Sequence, residues 1–128
     1  MLLKESWINI ADNTNIRWIK IFHLYKGFFR KATNIGLFAK GSARVVEPPR
    51  LEYKGFKYKY AVKGNINRLL VVRVNFLLKK NDHSFVRVSS NNGIIIRKKN
   101  NPKSKFLYGP ALRAVNRKKF LTLYKTTI

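Results

Sequence analysis

A chain of 128 residues is the length of one ordinary domain, and a hydrophobic share of 45% is enough to build a core. Its 28 Lys and Arg stand against 5 Asp and Glu, a formal charge of +23. Most of those cations have no internal acid to meet, so the folded chain repels itself unless an outside polyanion neutralises it. The absence of Cys excludes a disulfide scaffold, a thiol nucleophile and a cysteine–zinc site. No apolar run approaches the length of a membrane span. The opening Met1–Ile10 carries Lys4 and Glu5 and lacks both a secretory apolar region and an Arg/Ser-rich transit pattern. The sequence therefore predicts a protein made in the compartment where it works. Membranes attract basic segments through amphipathic helices or juxtamembrane clusters, whereas here the charge is interleaved with strand patterns along the whole chain. An acidic protein partner would not require so large an excess. Nucleic acid is the predicted partner, and no membrane.

Ser6–Ile10 alternates, with Trp7 opposing Ile8 and Ile10, and predicts a first strand. Ala11–Asn15 predicts a turn, since Asp and Asn side chains bond their own backbone. Ile16–Tyr25 predicts a longer strand, with Ile19, Ile21 and His23 on one face and Trp18, Lys20, Phe22 and Leu24 on the other. Lys26–Asn34 is a basic loop. Its Phe28 and Phe29 either cap the core or stack bases beside Arg30 and Lys31. Ile35–Lys40 begins another strand that continues through Ala43–Val46 and ends at Pro48-Pro49, because proline cannot donate to a ladder. Arg50–Lys63 alternates Tyr53, Tyr58 and Tyr60 with Lys57 and Lys59, which fits a hairpin arm or an extension ordered by RNA.

Lys63-Gly64-Asn65 turns the chain into Leu69–Val74, a branched run predicted to be a strand covered on both faces. Leu77–His83 predicts a basic loop, and Ser84–Val88 alternates with Val86 and Val88 opposite Phe85 and Arg87. Asn91-Asn92-Gly93 predicts a turn and Ile94–Ile96 a buried strand. Arg97–Lys105 is a basic loop with no apolar anchor. Pro110 suits the first position of a short helix over Ala111–Val115. Phe120–Tyr124 fits either a last strand or a helical turn.

The five acids, Glu5, Asp12, Glu47, Glu52 and Asp82, are scattered, whereas acid/base pairs and two-metal sites need convergent carboxylates. His23 has no second ligand at a metal spacing, so it reads as a strand-surface residue. Asp82-His83 lies in a turn where Asp has an ordinary structural role. No phosphate loop, dinucleotide fingerprint or nucleophile elbow is present, so neither catalysis nor a cofactor or metal is predicted.

In order and spacing the chain resembles the large-subunit ribosomal protein L-fourteen family. From Lys63 to Tyr124 the likeness is continuous. It comprises Lys63-Gly64, Leu70-Val71-Val72-Arg73, Asp82, Ser84, Arg87, Asn91, Ile94-Ile95-Ile96, Tyr108-Gly109-Pro110, Arg113 and Lys119-Phe120. Upstream, Asn9–Thr14 with Arg17, then Ile35-Gly36 and Lys40, match the family's first strands, while Val46–Tyr60 lies outside as an insertion. The resemblance implies a mainly β fold: one domain, a small five-stranded β-barrel with a hairpin arm and a short C-terminal helical segment. It also implies a structural role in translation. The partners would be large-subunit rRNA near the subunit interface, neighbouring large-subunit proteins, small-subunit rRNA through an intersubunit bridge, and a ribosome silencing factor. Arg17, Arg30, Lys31, Lys40, Arg73, Arg87 and Arg113 are rRNA-facing by position, and Lys79-Lys80 holds the family's basic loop tip. Arg44, the loop cations Arg97, Lys98, Lys99, Lys103 and Lys105, and Arg117 and Lys118 complete the rRNA-binding candidates on charge.

Four positions depart from the family pattern. Asn15 stands where the family has Gly, a replacement that Asn fits through its tolerance of positive φ. Trp18 replaces an arginine and trades a phosphate contact for a stacking surface. Asn65 and Ala114 each replace an acid. Heavy use of Asn, Lys, Ile, Phe and Tyr is typical of AT-rich organellar genomes, and on composition the predicted location is the mitochondrial ribosome in the matrix. The alternative from a different class is a free-standing basic β-barrel that binds RNA as a chaperone or regulator and exchanges among RNAs.

Overall fold

Branched aliphatic residues recurring at alternate positions fix the strands, because they fit a pleated surface with one packed face. A computed structural model describes residues 2–48, 61–124 and 126–128. In chain order the strands are β1 (Leu2–Leu3), β2 (Trp7–Ile10), β3 (Ile16–Leu24), β4 (Ala32–Thr33), β5 (Phe38–Val46), β6 (Ile66–Arg73), β7 (Leu78–Lys79), β8 (Phe85–Val86) and β9 (Asn92–Ile95). A short helix, α1 (Lys118–Leu123), follows. β2, β3, β5, β6 and β9 close into a five-stranded barrel in that order; β9 runs antiparallel to β6 and parallel to β2. Two small ribbons, β1–β4 and β7–β8, stand outside it. The fold is thus mainly β with a short C-terminal helical segment, as the sequence predicts.

Ile8, Ile16, Ile19, Ile21, Leu24, Leu69, Leu70 and Ile94 are completely shielded from water. Each such side chain stabilises the fold by about 1.5–3 kcal/mol. The C-terminal segment adds Ala111, Leu112, Val115, Phe120 and Tyr124 to the same cluster. Burial raises the Tyr124 phenol far above its usual range.

Asp12 locks the seam between the first and last barrel strands. Its carboxylate is fully buried: Oδ1 accepts the Thr14 N–H at 3.0 Å and the Thr14 hydroxyl at 2.5 Å, and Oδ2 accepts the Ile95 N–H at 2.8 Å. Burial pushes its pKa up, against the pull of the Thr14 and Ile95 bonds and of the Lys103 charge. A raised folded pKa stabilises the fold in acid, and that contribution is lost as pH rises through it. The hydrogen bonds from Thr14 and Ile95 offset part of the cost of burial.

Several expectations are corrected by the backbone. Leu24, predicted on the face opposite Ile19 and Ile21, is buried with them, because a bulge between Ile21 and His23 shifts the alternation. Asn92 and Gly93, predicted in a turn, are the first residues of β9, where Gly93 sits against Ile8 and the Leu70 carbonyl. Leu78 and Lys79, predicted in a loop, pair with Phe85 and Val86. Ile35–Leu37 forms a turn through Gly36 at φ +79° rather than the start of a strand. Phe28 and Phe29 are 78% and 89% exposed, so neither caps the core.

The predicted helix over Ala111–Val115 is only a 3₁₀ turn at Arg113–Val115, because Ala111 instead bridges to Thr127. Phe120 and its neighbours are helical. Asn15 does not use positive φ. Its amide donates to the carbonyls of Ala61 (2.8 Å) and Glu47 (3.3 Å) and accepts the Ala61 N–H (3.2 Å). That contact clasps the two chain ends flanking 49–60, a stretch that lies outside the described residues together with most of the tyrosine–lysine segment and its predicted hairpin arm.

At Gly41 β5 leaves no room for a side chain against β3: an added Cβ would lie 2.3 Å from Ile19 Cγ2 and 2.6 Å from the Lys20 carbonyl oxygen. Because backbone cannot yield there, Gly41→Ala should destabilise the barrel by about 1–3 kcal/mol. A lowered urea midpoint with unchanged slope would show it, and an unchanged midpoint would mean that the strands are further apart than described.

Candidate nucleic-acid interface

The described carboxylates are all engaged within the fold. Asp12 is buried at the seam, and Asp82 accepts the N–H and hydroxyl of Ser84 in its own turn. Glu5 pairs with Lys20 at 2.9 Å. Glu47 receives Arg17 through Nε (2.7 Å) and Nη2 (2.8 Å), a two-pronged contact that raises the arginine's pKa. Among the described residues no group of three or more His, Asp or Glu could hold a metal ion.

Three of the sequence-predicted cations face inward or are tied down. Arg73 is 8% exposed; its Nε donates to Asn92 Oδ1 (3.2 Å) and its Nη1 to the Pro110 carbonyl (2.9 Å). Burial lowers its pKa. It fastens β6 to β9 and to the C-terminal segment. Arg17 is held by Glu47, and Lys103 is half-buried near Asp12, with its pKa lowered by burial.

The others lie outward in distinct groups. Lys40 on β5 is directly opposite Arg68 on β6, two cations side by side on one sheet face. Like charges so placed destabilise a sheet unless an anion joins them. Arg68 donates to Asn100 and Lys119 to Asn101, which brings the loop cations Arg97, Lys98 and Lys99 and the helix cations Lys118 and Lys119 onto one surface. This loop, predicted to lack an anchor, is closed by Arg97 N–H to Asn101 (2.6 Å) and Lys103 N–H to Ile95 (2.9 Å). Arg117 continues the surface, donating from Nε to the Gly36 carbonyl at 2.8 Å, and Arg30 does the same to Ala32 at 2.9 Å.

Elsewhere, Lys79 and Lys80 lie on or beside the β7–β8 ribbon, and Arg87 follows it, with its Nε 3.4 Å from Asn75 Oδ1. Lys31, Arg44, Lys105 and Arg113 are exposed. Trp18 is 40% exposed on the barrel's outer face. The sequence did not single out Arg68, Lys26 or Lys119. Arg68 shares a strand face with Leu70, and its neighbours Phe38 and Lys40 are set by strand register.

A closed barrel whose surface carries many cations and few acids, those described being paired within the fold, defines a basic β-barrel domain. Residues 1–127 match the family described as Ribosomal protein L14p/L23e. The large ribosomal subunit protein uL14m of Tetrahymena pyriformis is 31% identical over 124 residues, covering 97% of this chain and 97% of that protein. The chain belongs to the ribosomal protein L14p/L23e family. It is a structural constituent of the large ribosomal subunit, not an enzyme.

The inward and outward cations should separate experimentally. Replacing Lys98 and Lys99 together by Ala should leave stability within about 0.5 kcal/mol and reduce the salt slope of binding to a large-subunit rRNA fragment by about 0.7–0.9 for each phosphate no longer neutralised. Arg73→Ala should instead cost about 2–3 kcal/mol in urea unfolding, by stranding the Pro110 carbonyl and removing one of the two hydrogen bonds to Asn92 Oδ1, with the slope kept. An inverted pattern would contradict the assignment.

Proposed function

We propose that residues 1–128 act as one rRNA-binding domain, with an insertion at about 46–60, in the large subunit of a mitochondrial ribosome in the matrix. The observation that carries this is the charge distribution: the described acids are committed within the fold, so the cations along Lys40, Arg68, Lys98, Lys99, Lys118 and Lys119 are matched by phosphates from outside. Membership of the family supports rRNA as that polyanion, and the similarity to uL14m of Tetrahymena pyriformis supports a mitochondrial ribosome. Phosphate contacts of this kind position the protein without reading sequence.

The same family membership supports a place near the subunit interface, contacts with neighbouring large-subunit proteins, and a bridge to small-subunit rRNA. The β7–β8 ribbon, with Lys79, Lys80 and the exposed Phe85, is a projecting element suited to such a bridge. A silencing factor docking at the Arg113–Val115 turn would meet exposed Ala114 beside Arg113, without the acid found elsewhere in the family.

Sedimentation of mitochondrial lysate at elevated salt and magnesium, with the protein followed by mass spectrometry, tests the proposal. It should travel only with large subunits and intact ribosomes. Washing into light fractions while large subunits stay intact would favour a free-standing RNA-binding module.

A further inference from the structure

One hollow on the barrel has a chemistry that phosphate contacts alone do not account for. It is lined by Tyr25, Lys26, Arg30, Leu37, Phe38 and Arg117 and has a volume of about 110 Å³. Register builds it. Leu24 pairs with Ala39, which brings Tyr25, the next residue, beside Phe38. Phe38 is paired with Leu70 and so lies diagonally across from Arg68 on the neighbouring strand. The Arg117 guanidinium carbon stands 4.2 Å from the Phe38 ring centre, and that of Arg68 stands 4.8 Å from it and 5.5 Å from the Tyr25 ring. His23 meets Tyr25 edge-on at 5.1 Å.

Cation–π contacts on a sheet surface often do no more than pack side chains. Three features here go further. Arg30, Arg68 and Arg117 converge with Lys26 and Lys40 nearby, and no described carboxylate lines the hollow. Arg30 and Arg117 are each fixed through Nε to a backbone carbonyl, and their Nη groups make no hydrogen bond to the described residues, while the Arg117 guanidinium also lies over the Phe38 ring. The rings and guanidinium planes are flat surfaces held in place before any ligand arrives. Fixed Nη forks suit a phosphate, and flat aromatic and guanidinium faces suit a base. A duplex offers the phosphate but keeps its bases stacked inside.

We propose that this hollow is a binding site for one unpaired ribonucleotide of an RNA strand, its base laid against the surface made by Tyr25, Phe38 and Arg117 and its phosphate held by Arg30 and Lys26. The proposal rests on the RNA-binding function above and adds to it the class of RNA that the site takes.

The test uses the full-length protein with two labelled probes at one salt concentration, a short single-stranded oligouridine and a blunt RNA duplex of the same length. Tyr25→Leu keeps apolar bulk and removes the ring. It should weaken oligouridine binding about fivefold to a hundredfold, as expected for one unstacked base, and leave duplex binding within about twofold. Arg117→Lys keeps the charge and removes the plane, and it should lower oligouridine binding selectively in the same way. Circular dichroism checks that each variant is folded, and an unfolded Tyr25→Leu leaves the decision to Arg117→Lys. Equal losses on both probes, or none, would overturn the nucleotide site while leaving phosphate binding intact. Failure of the unsubstituted protein to bind either probe would instead overturn the RNA-binding function itself.

Discussion

The seam between β2 and β9, fastened by Asp12, is the constraint on which the other features depend. Parallel pairing of the first and last barrel strands joins residues far apart in sequence, and the Asp12 carboxylate gives Ile95 a partner that β2 alone does not provide. Closing five strands leaves an interior just wide enough for branched aliphatic side chains. Arg73, the one buried arginine among the described residues, is held by an amide and a carbonyl rather than by a carboxylate.

A closed, filled barrel drives nearly all the charge outward. With 28 cations and 5 acids in the chain, and the described acids already committed, the outer surface carries an uncompensated excess. Exposed ion pairs contribute little to stability, so the two surface pairs at Lys20 and Arg17 act mainly by placing side chains. Arg17 with Glu47, and Asn15 with Ala61, hold together the two chain ends that flank residues 49–60. The opposed Lys40 and Arg68 have no such relief from within the described fold. Their repulsion is relieved in the proposed complex with rRNA phosphate, which would link the charge of the surface to the large-subunit role of the family.

The barrel was largely legible in the sequence because its strands either alternate, as in Trp7–Ile10, or run continuously branched, as in Leu69–Val74. The bulge before His23 was not legible: inserting one residue leaves composition unchanged and alters only the phase, so Leu24 changed sides. Asn91-Asn92-Gly93 has the composition of a turn, yet long-range pairing on both sides of β9 outweighs local preference there. The candidate site was legible as charge and not as geometry. Lys98 and Lys99 are exposed in a loop, whereas Arg73 lies in the branched run Leu69–Val74; that run marks a covered strand, but not the contact with the Pro110 carbonyl that holds the guanidinium. The aromatic–guanidinium hollow was invisible for the same reason, since Tyr25, Phe38, Arg68 and Arg117 meet only through register and the docking of the C-terminal segment. Phe28-Phe29 drew notice as an adjacent aromatic pair, whereas Tyr25 and Phe38, thirteen positions apart by number, form the built surface.

Lysine reactivity in the assembled particle tests the central claim most directly, namely that the outward cations are phosphate contacts. Acetylation of intact large subunits and of the isolated protein, compared residue by residue, should show Lys40, Lys98, Lys99, Lys118 and Lys119 protected in the particle and reactive in isolation. Equal reactivity of these lysines in both states would contradict the account.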